Sequence, residues 1–362
     1  ERVRVSIPGE IMRIDLNEEQ QLLSESVRQF AEDVVRPQAK EIDESGEFPM
    51  DYYRQAGELG LAGVAVPEEY GGSGMDTLAY VLVVEEISRV CASSGVILSV
   101  NNSLVCDPLL HFGTDEQKQK FLRPLASGES LGCFGLTEPG AGSDPAAIRT
   151  SAVRDGEDYI LNGNKVFITN GTNADIALIF ATVDPDLKHK GITAFIVPAD
   201  TVGYSHGGHE YKLGVNASGT TELAFADCRI PSRFRLGDEG EGFKIAMRTL
   251  DGGRIGIAAQ AVGIAQAAVE EEVGAAELVD ILPYFDAYGE ISVHVMEFWP
   301  VTSGGPVTMV VSAWDTTHPI EMAWEGIADH KDPLLLDQAE SRVWNQLGLA
   351  VAAPLAFLWL VI

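Results

Sequence analysis

Near residue 130 the hydrophobic pattern of this 362-residue chain changes period, and that change limits what the chain can fold into. Before it, Leu22, Leu23, Val27, Phe30, Ala31 and Val34 recur at the three- and four-residue spacing of one helix face. Asn17 with Gln20 and Thr114 with Gln117 have the spacing of capping boxes, and Gly46 ends the first periodic run. After it come "YILNGNKVFITN", "DIALIFATVD", "GITAFIVPAD" and "TTELAFADCRI". These short runs are rich in Val, Ile, Phe and Thr and separated by turn residues, which predicts strands. "EGFKIAMRTLDGGRIGIAAQAVGIAQAAVEEEV" then returns to helical spacing with many small residues, as in a tightly packed bundle. The expected division is an extension over 1–11, a helical domain over 12–130, a β domain over 131–235, the start of a helical bundle over 236–274, and an atypical tail over 275–362.

Charge narrows the partners. The formal net charge is −29. A nucleic-acid partner needs a Lys/Arg surface, and an anionic membrane surface needs the same, so neither is expected. A few local donors can still hold an anionic ligand. The four cysteines are widely spaced and form no CxxC pair. They predict buried free thiols in a reducing compartment rather than a zinc site or a disulfide framework, and no residue is assigned to a metal. No secretory signal is read at the start.

The tail has a different composition. From Glu271 onward there are one Lys, one Arg and fourteen Asp/Glu, and all five tryptophans follow residue 298. The final "LGLAVAAPLAFLWLVI" is uncharged but shorter than the roughly 20 residues of a membrane span.

Three segments could carry chemistry. In "LTEPGAGSD" (136–144) the glycines admit a ligand close to the backbone, and main-chain N–H groups with the Thr137 and Ser143 hydroxyls could donate to an anionic or carbonyl-rich cofactor. In "NGNKVFITNG" (162–171) Phe167 and Thr169 stand two apart, so strand alternation aims both to one side, one to pack on a flat ring and one to donate to its edge. In "TLDGGRIGIAAQ" (249–260) Asp251 and Arg254 share a helix face. Each also has a plainer reading: a turn, a core aromatic beside a sheet threonine, and a surface ion pair of little worth.

Taken together, in this order and spacing, these segments resemble the acyl-CoA dehydrogenases, and most closely the short-chain, butyryl-CoA type. "FGLTEPGAGSD", "KVFITN", "GITAFIVP", "DCRIP", "GFKIAMRTLDGGRIGIAAQAVGIAQ" and the amino-terminal "LNEEQQLL" all match, over residues 12 to about 270. The resemblance implies an α+β multidomain fold: an amino-terminal helical domain, a central β-barrel-like domain, and a carboxy-terminal helical bundle that is here incomplete or replaced. It implies that Phe134, Gly135, Leu136, Thr137, Glu138, Pro139, Gly140, Ala141, Gly142 and Ser143 contact FAD. Phe167, Ile168 and Thr169 would lie against its isoalloxazine ring. Ser143 would also touch the acyl-CoA, and Asp251, Gly252, Gly253 and Arg254 would belong to the substrate site. The implied reaction is α,β-dehydrogenation of a short-chain acyl-CoA thioester to the trans-2-enoyl-CoA. Electrons would pass to an electron-transfer flavoprotein. The family is usually homotetrameric, in bacterial cytoplasm or the mitochondrial matrix.

One departure matters. The family's base is a Glu in a Tyr-Glu-Gly-Thr segment of the last domain, and the nearest counterpart here is Glu325 in "AWEGIADH". The Gly253 position closes the alternative in which the base directly precedes the Arg of the D-x-x-R segment. Three outcomes stay open: an enzyme using Glu325, a non-catalytic FAD or acyl-CoA binding protein, and an inactive fragment with an uncovered apolar helix face. The tail itself reads as either a different domain joined to a flavin-binding core or a reading-frame or assembly error in the source gene.

Overall fold

The computed structural model describes residues 5–7, 10–12 and 16–272. Glu325 and the rest of the 275–362 tail lie outside the described residues. Residues 18–264 form one compact unit. Near the start of the chain, Val5–Ile7 (β1) pairs antiparallel with Glu10–Met12 (β2).

The first helix begins at Glu18, directly after Asn17, and runs through Ser45 with wider turns at Ala31–Val35. Gly46 ends it at φ 70, a left-handed conformation that costs glycine nothing, and its N–H closes on Ile42 O at 2.9 Å. An ion-pair network fastens this helix to the Thr77–Val90 helix. Arg28 donates to both oxygens of Glu86 at 2.8 and 2.9 Å. Arg89 donates to Glu86 at 3.2 Å and to Glu32 at 2.6 Å, and Arg36 also pairs with Glu32. Glu86 and Arg89 are buried, so each needs the other's charge. The Thr114–Gln117 capping box forms in both directions. The Gln117 amide also donates to Arg233 O and Arg235 O at 2.9 and 2.8 Å, which ties the helices to the far edge of the sheet.

The sheet contains Gly132–Gly135 (β3), Ser151–Asp155 (β4), Asp158–Ile168 (β5), Ile176–Thr182 (β6), Ile192–Pro198 (β7), Tyr204–His206 (β8), Thr221–Pro231 (β9) and Arg235–Leu236 (β10). Its order is β10-β7-β6-β4-β5-β9-β8, with β3 parallel to β6. The four runs expected as strands are β5, β6, β7 and β9. β6 is buried along its whole length, as an unbroken apolar strand requires. Aromatic pairs fill the core around it, Phe134 with Phe180 and Tyr159 with Phe195, each 5.0 Å between ring centres. All four cysteines are free and buried.

Two asparagines hold β3 against the helices. Asn101 donates to Ala62 O and Leu125 O and accepts the Gly132 N–H at 3.0 Å. Asn170 donates to Ile97 O and Gly132 O at 3.2 and 3.1 Å. The last helix among the described residues, Gly242–Glu272, packs through small residues. A Cβ at Gly256 would stand 2.0 Å from the Tyr80 hydroxyl, and one at Gly263 2.2 Å from Glu85 O. Along this helix Ile255, Val262 and Ile264 are between 40% and 53% exposed. Among the described residues no helix is long and apolar enough to cross a membrane.

The ion network sets an acid limit. The hydrogen bond from Arg36, against the opposing effect of burial and with help from Arg89, holds the Glu32 carboxyl down to about 2. A carboxyl with a depressed folded pKa stabilises above its unfolded pKa, about 4.3, and that contribution is lost as pH falls toward 2. Thermal melts across this window should show Glu32→Gln losing less stability on acidification than the unmodified chain. Parallel melting-temperature curves would overturn the assignment.

Candidate functional site

The segment that leaves β3 folds back on itself at once. Glu138 and Ala141 exchange N–H···O bonds at 3.0 Å, with exposed Pro139 and Gly140 at the tip. The Glu138 side chain turns inward and is 7% exposed. Its Oε2 accepts the Arg149 N–H at 2.6 Å. Its Oε1 accepts the Thr150 N–H at 2.9 Å and the Lys165 ammonium at 2.7 Å. Lys165 lies in β5 with no exposed surface, and its Nζ also donates to Leu136 O at 3.1 Å. The Val166 N–H reaches Thr137 O at 3.0 Å. The glycine-rich loop and the end of β5 are therefore one bonded object.

Electrostatics explain why. Burial pushes the Lys165 ammonium down to about 8, against the charge and hydrogen bond of Glu138. Burial pushes the Glu138 carboxyl up, but the Lys165 charge and the bonds from Lys165, Thr150 and Arg149 outweigh it and hold it below the ordinary range. At neutral pH both are charged, and a buried charge persists only when paired and hydrogen-bonded.

Two residues beyond Lys165 the strand breaks its register. Lys165 pairs with Leu223 and Ile168 with Thr221, so β5 carries one residue more than β9 across this step, a bulge. Phe167 sits there at φ 59, in the left-handed region, with its ring 44% exposed. An aromatic residue in that conformation costs on the order of 1–3 kcal/mol and collects at functional sites. Val166, Ile168 and Asn170 are buried, while Phe167 is exposed and Thr169 half-buried. The alternation expected from sequence is present in burial, but its cause is a bulge followed by a turn rather than a regular strand. Thr169 lies just past the last strand residue.

The loop also leaves room. A Cβ added at Gly140 would meet nothing within 4 Å, so the protein's own packing does not demand glycine there. Ser143 is exposed and Thr137 half-buried. Asp144 accepts the Ala146 N–H at 3.1 Å and closes the loop's far end.

The third segment stands differently. Asp251 and Arg254 pair with each other at 73% and 60% exposure. Their helix reaches the cradle through an intermediary: Gly253 lies against Leu104, and Val105 lies against Gly132 of β3. The structure thus bonds the 136–143 loop directly to 165–169 and joins Asp251–Arg254 to them through the Val100–Cys106 segment. Glu325 lies outside the described residues. Lys165, Asn101 and Asn170 were not singled out from sequence. The available signal was the lone Lys of β5, with Glu138 and Asp144 as the acids of the facing glycine-rich loop.

Comparison with known proteins gives a consistent result. Family models for the acyl-CoA dehydrogenase N-terminal, middle and C-terminal domains match residues 17–129, 133–228 and 240–277. A short-chain specific acyl-CoA dehydrogenase of Clostridium acetobutylicum is 52% identical over 72% of this chain and 69% of its own length. The human mitochondrial short-chain specific enzyme is 51% identical over 73% of this chain. The chain spans 64% of that human relative. The solved butyryl-CoA dehydrogenase of Megasphaera elsdenii superposes with a TM-score of 0.70 at 38% identity, covering 92% of this chain and 80% of that one. A glutaryl-CoA dehydrogenase of Mycobacterium smegmatis, solved in complex with FADH2, gives 0.66 at 36% identity, covering 70% and 64%.

The buried pair is open to a direct test. Lys165→Met leaves the Glu138 carboxylate buried without its countercharge and should destabilise by about 3–5 kcal/mol in urea unfolding. Adding Glu138→Gln removes the stranded charge while keeping an oxygen acceptor, so the double variant should recover much of the loss. Equal midpoints for single and double variants would show that the pair does not act as a unit.

Proposed function

Because the chain belongs to the acyl-CoA dehydrogenase family, we propose that it holds FAD on the 134–143 loop and the 167–169 strand end and dehydrogenates a short-chain acyl-CoA to the trans-2-enoyl-CoA. The observation that carries this reading is Phe167, an exposed ring held at a strained backbone position beside a loop whose tip has open space. A flat apolar surface next to hydroxyl and main-chain donors fits an isoalloxazine ring, which is apolar across its face and polar along one edge. Thr137, Thr169 and Ser143 supply the hydroxyls.

Bound FAD would supply the acceptor for the hydride that leaves Cβ. A carboxylate takes the proton from Cα, and the electrons of that C–H bond become the new double bond. The α-proton is a poor acid, so the thioester oxygen must meet preorganised donors as negative charge develops on it. Glu325 remains the sequence's candidate for the carboxylate. Arg254 and Asp251 would frame the substrate end of the site, with Gly252 and Gly253 letting their helix pack close. The same reading sends the electrons to an electron-transfer flavoprotein.

The test is a visible spectrum of the purified chain before and after anaerobic butyryl-CoA. A yellow protein that bleaches supports the reading, and Glu325→Gln should then abolish bleaching without releasing flavin. A yellow protein that does not bleach favours the non-catalytic binder. A colourless one overturns the reading. Phe167→Gly should keep the fold, since glycine accepts φ 59, while flavin retention falls.

A further inference from the structure

We infer that Arg149, Lys188 and Lys190 form a cationic rim that binds phosphate groups of the CoA portion of the substrate; this rests on the acyl-CoA reading above. The chain carries a net charge of −29, so a group of unpaired cations in one place is unexpected on composition. No hydrogen bond or ion pair among the described residues engages the side chain of Arg149, Lys188 or Lys190. All three are exposed.

The sheet register aligns the strands that follow them, and loop packing brings their segments together. The Thr182 N–H donates to Thr150 O at 2.8 Å, and Thr182 pairs with Ile192 across β6 and β7. Ser151 and Ile192, the first residues of β4 and β7, therefore stand on either side of Thr182, each about 4.8 Å from it, with Arg149 two residues before one and Lys190 two residues before the other. The Pro145–Ala147 turn packs on the Pro185–Gly191 loop. That turn directly follows Ser143 and Asp144, so the cations edge the glycine-rich loop on one side. On the other side His189 lies against Phe243, ring centres 5.6 Å apart, at the start of the helix that carries Arg254. Lys188 is held at φ 52, a position a lysine leaves unless the loop around it is firmly set.

Nearby acids are partly engaged elsewhere. Asp144 and Asp184 each accept a backbone N–H of their own turn, and Glu241 pairs with Lys244. Asp186 is exposed on the same loop and reduces the local field. A planar guanidinium with two ammonium groups matches phosphate oxygens, bidentate from Arg and as point charges from Lys. CoA offers a diphosphate and a 3′-phosphate. FAD also offers a diphosphate, and the experiment separates the two sources.

The holoprotein and its Arg149→Gln/Lys188→Gln/Lys190→Gln variant are titrated calorimetrically with crotonyl-CoA and with S-crotonylpantetheine. These share the acyl end and differ by the 3′-phospho-ADP. The variant should bind crotonyl-CoA about tenfold more weakly, as expected for a few exposed charge pairs, with the pantetheine thioester and flavin retention unchanged. Added salt should weaken crotonyl-CoA binding to the unmodified protein more than to the variant. Equal crotonyl-CoA affinities overturn the rim and leave the dehydrogenase reading standing. Loss of flavin without loss of CoA affinity also overturns it, assigning the cations to the FAD diphosphate. An unmodified protein that binds neither thioester overturns both.

Discussion

A lysine with no exposed surface keeps its charge only if something buried answers it, and in this protein that something is Glu138. The pair joins a glycine-rich loop to the strand on which the exposed aromatic stands. The carboxylate takes two backbone N–H groups besides the ammonium, and the ammonium takes a backbone carbonyl besides the carboxylate. The other bonds of the pair thus hold main chain. The loop can then present Pro139, Gly140 and Ser143 to solvent without losing its shape, because its anchor lies beneath it.

Burial sorts the ion pairs of this molecule by consequence. Lys165–Glu138 and Glu86–Arg89 are buried, and losing one member strands a charge in a poor solvent. Asp251–Arg254 has the same partners on paper but is largely exposed, where water screens it and the net gain is small. That weakness leaves Arg254 only loosely held by Asp251. Arg149, Lys188 and Lys190 go one step further, standing without side-chain partners among the described residues.

Small residues and asparagines set the spacing between helices and sheet. Gly253, Gly256 and Gly263 bring the last helix against its neighbours at distances no side chain would allow. Asn101 and Asn170 bond to the N–H and C=O of Gly132, so the strand that starts the glycine-rich loop has a set height and direction. The strain at Phe167 is held between these constraints. Asn170 follows three residues later, fully buried and itself at φ 66, a conformation asparagine tolerates better than most residues.

The order of helices, strands and helix was legible because hydrophobic period depends on local geometry: side chains three or four apart face together on a helix, and alternate ones face together on a strand. The Thr114 cap and the Gly46 stop were legible for the same reason, since each is complete within a few residues. The short strands β3, β4, β8 and β10 were not, because two to five residues carry too little pattern and their neighbours lie far away in sequence. Phe167 and Thr169 were singled out through an alternation that the backbone keeps in burial but reaches by a bulge, and a bulge is decided by the partner strand. Sequence alone determined the kinds of element, their order and which segments could hold a ligand. Only the tertiary structure decided that Lys165 meets Glu138 across 27 residues, and that the turn before Arg149 packs on the loop that carries Lys188 and Lys190. Charges distant in the chain become partners only when packing removes the water between them.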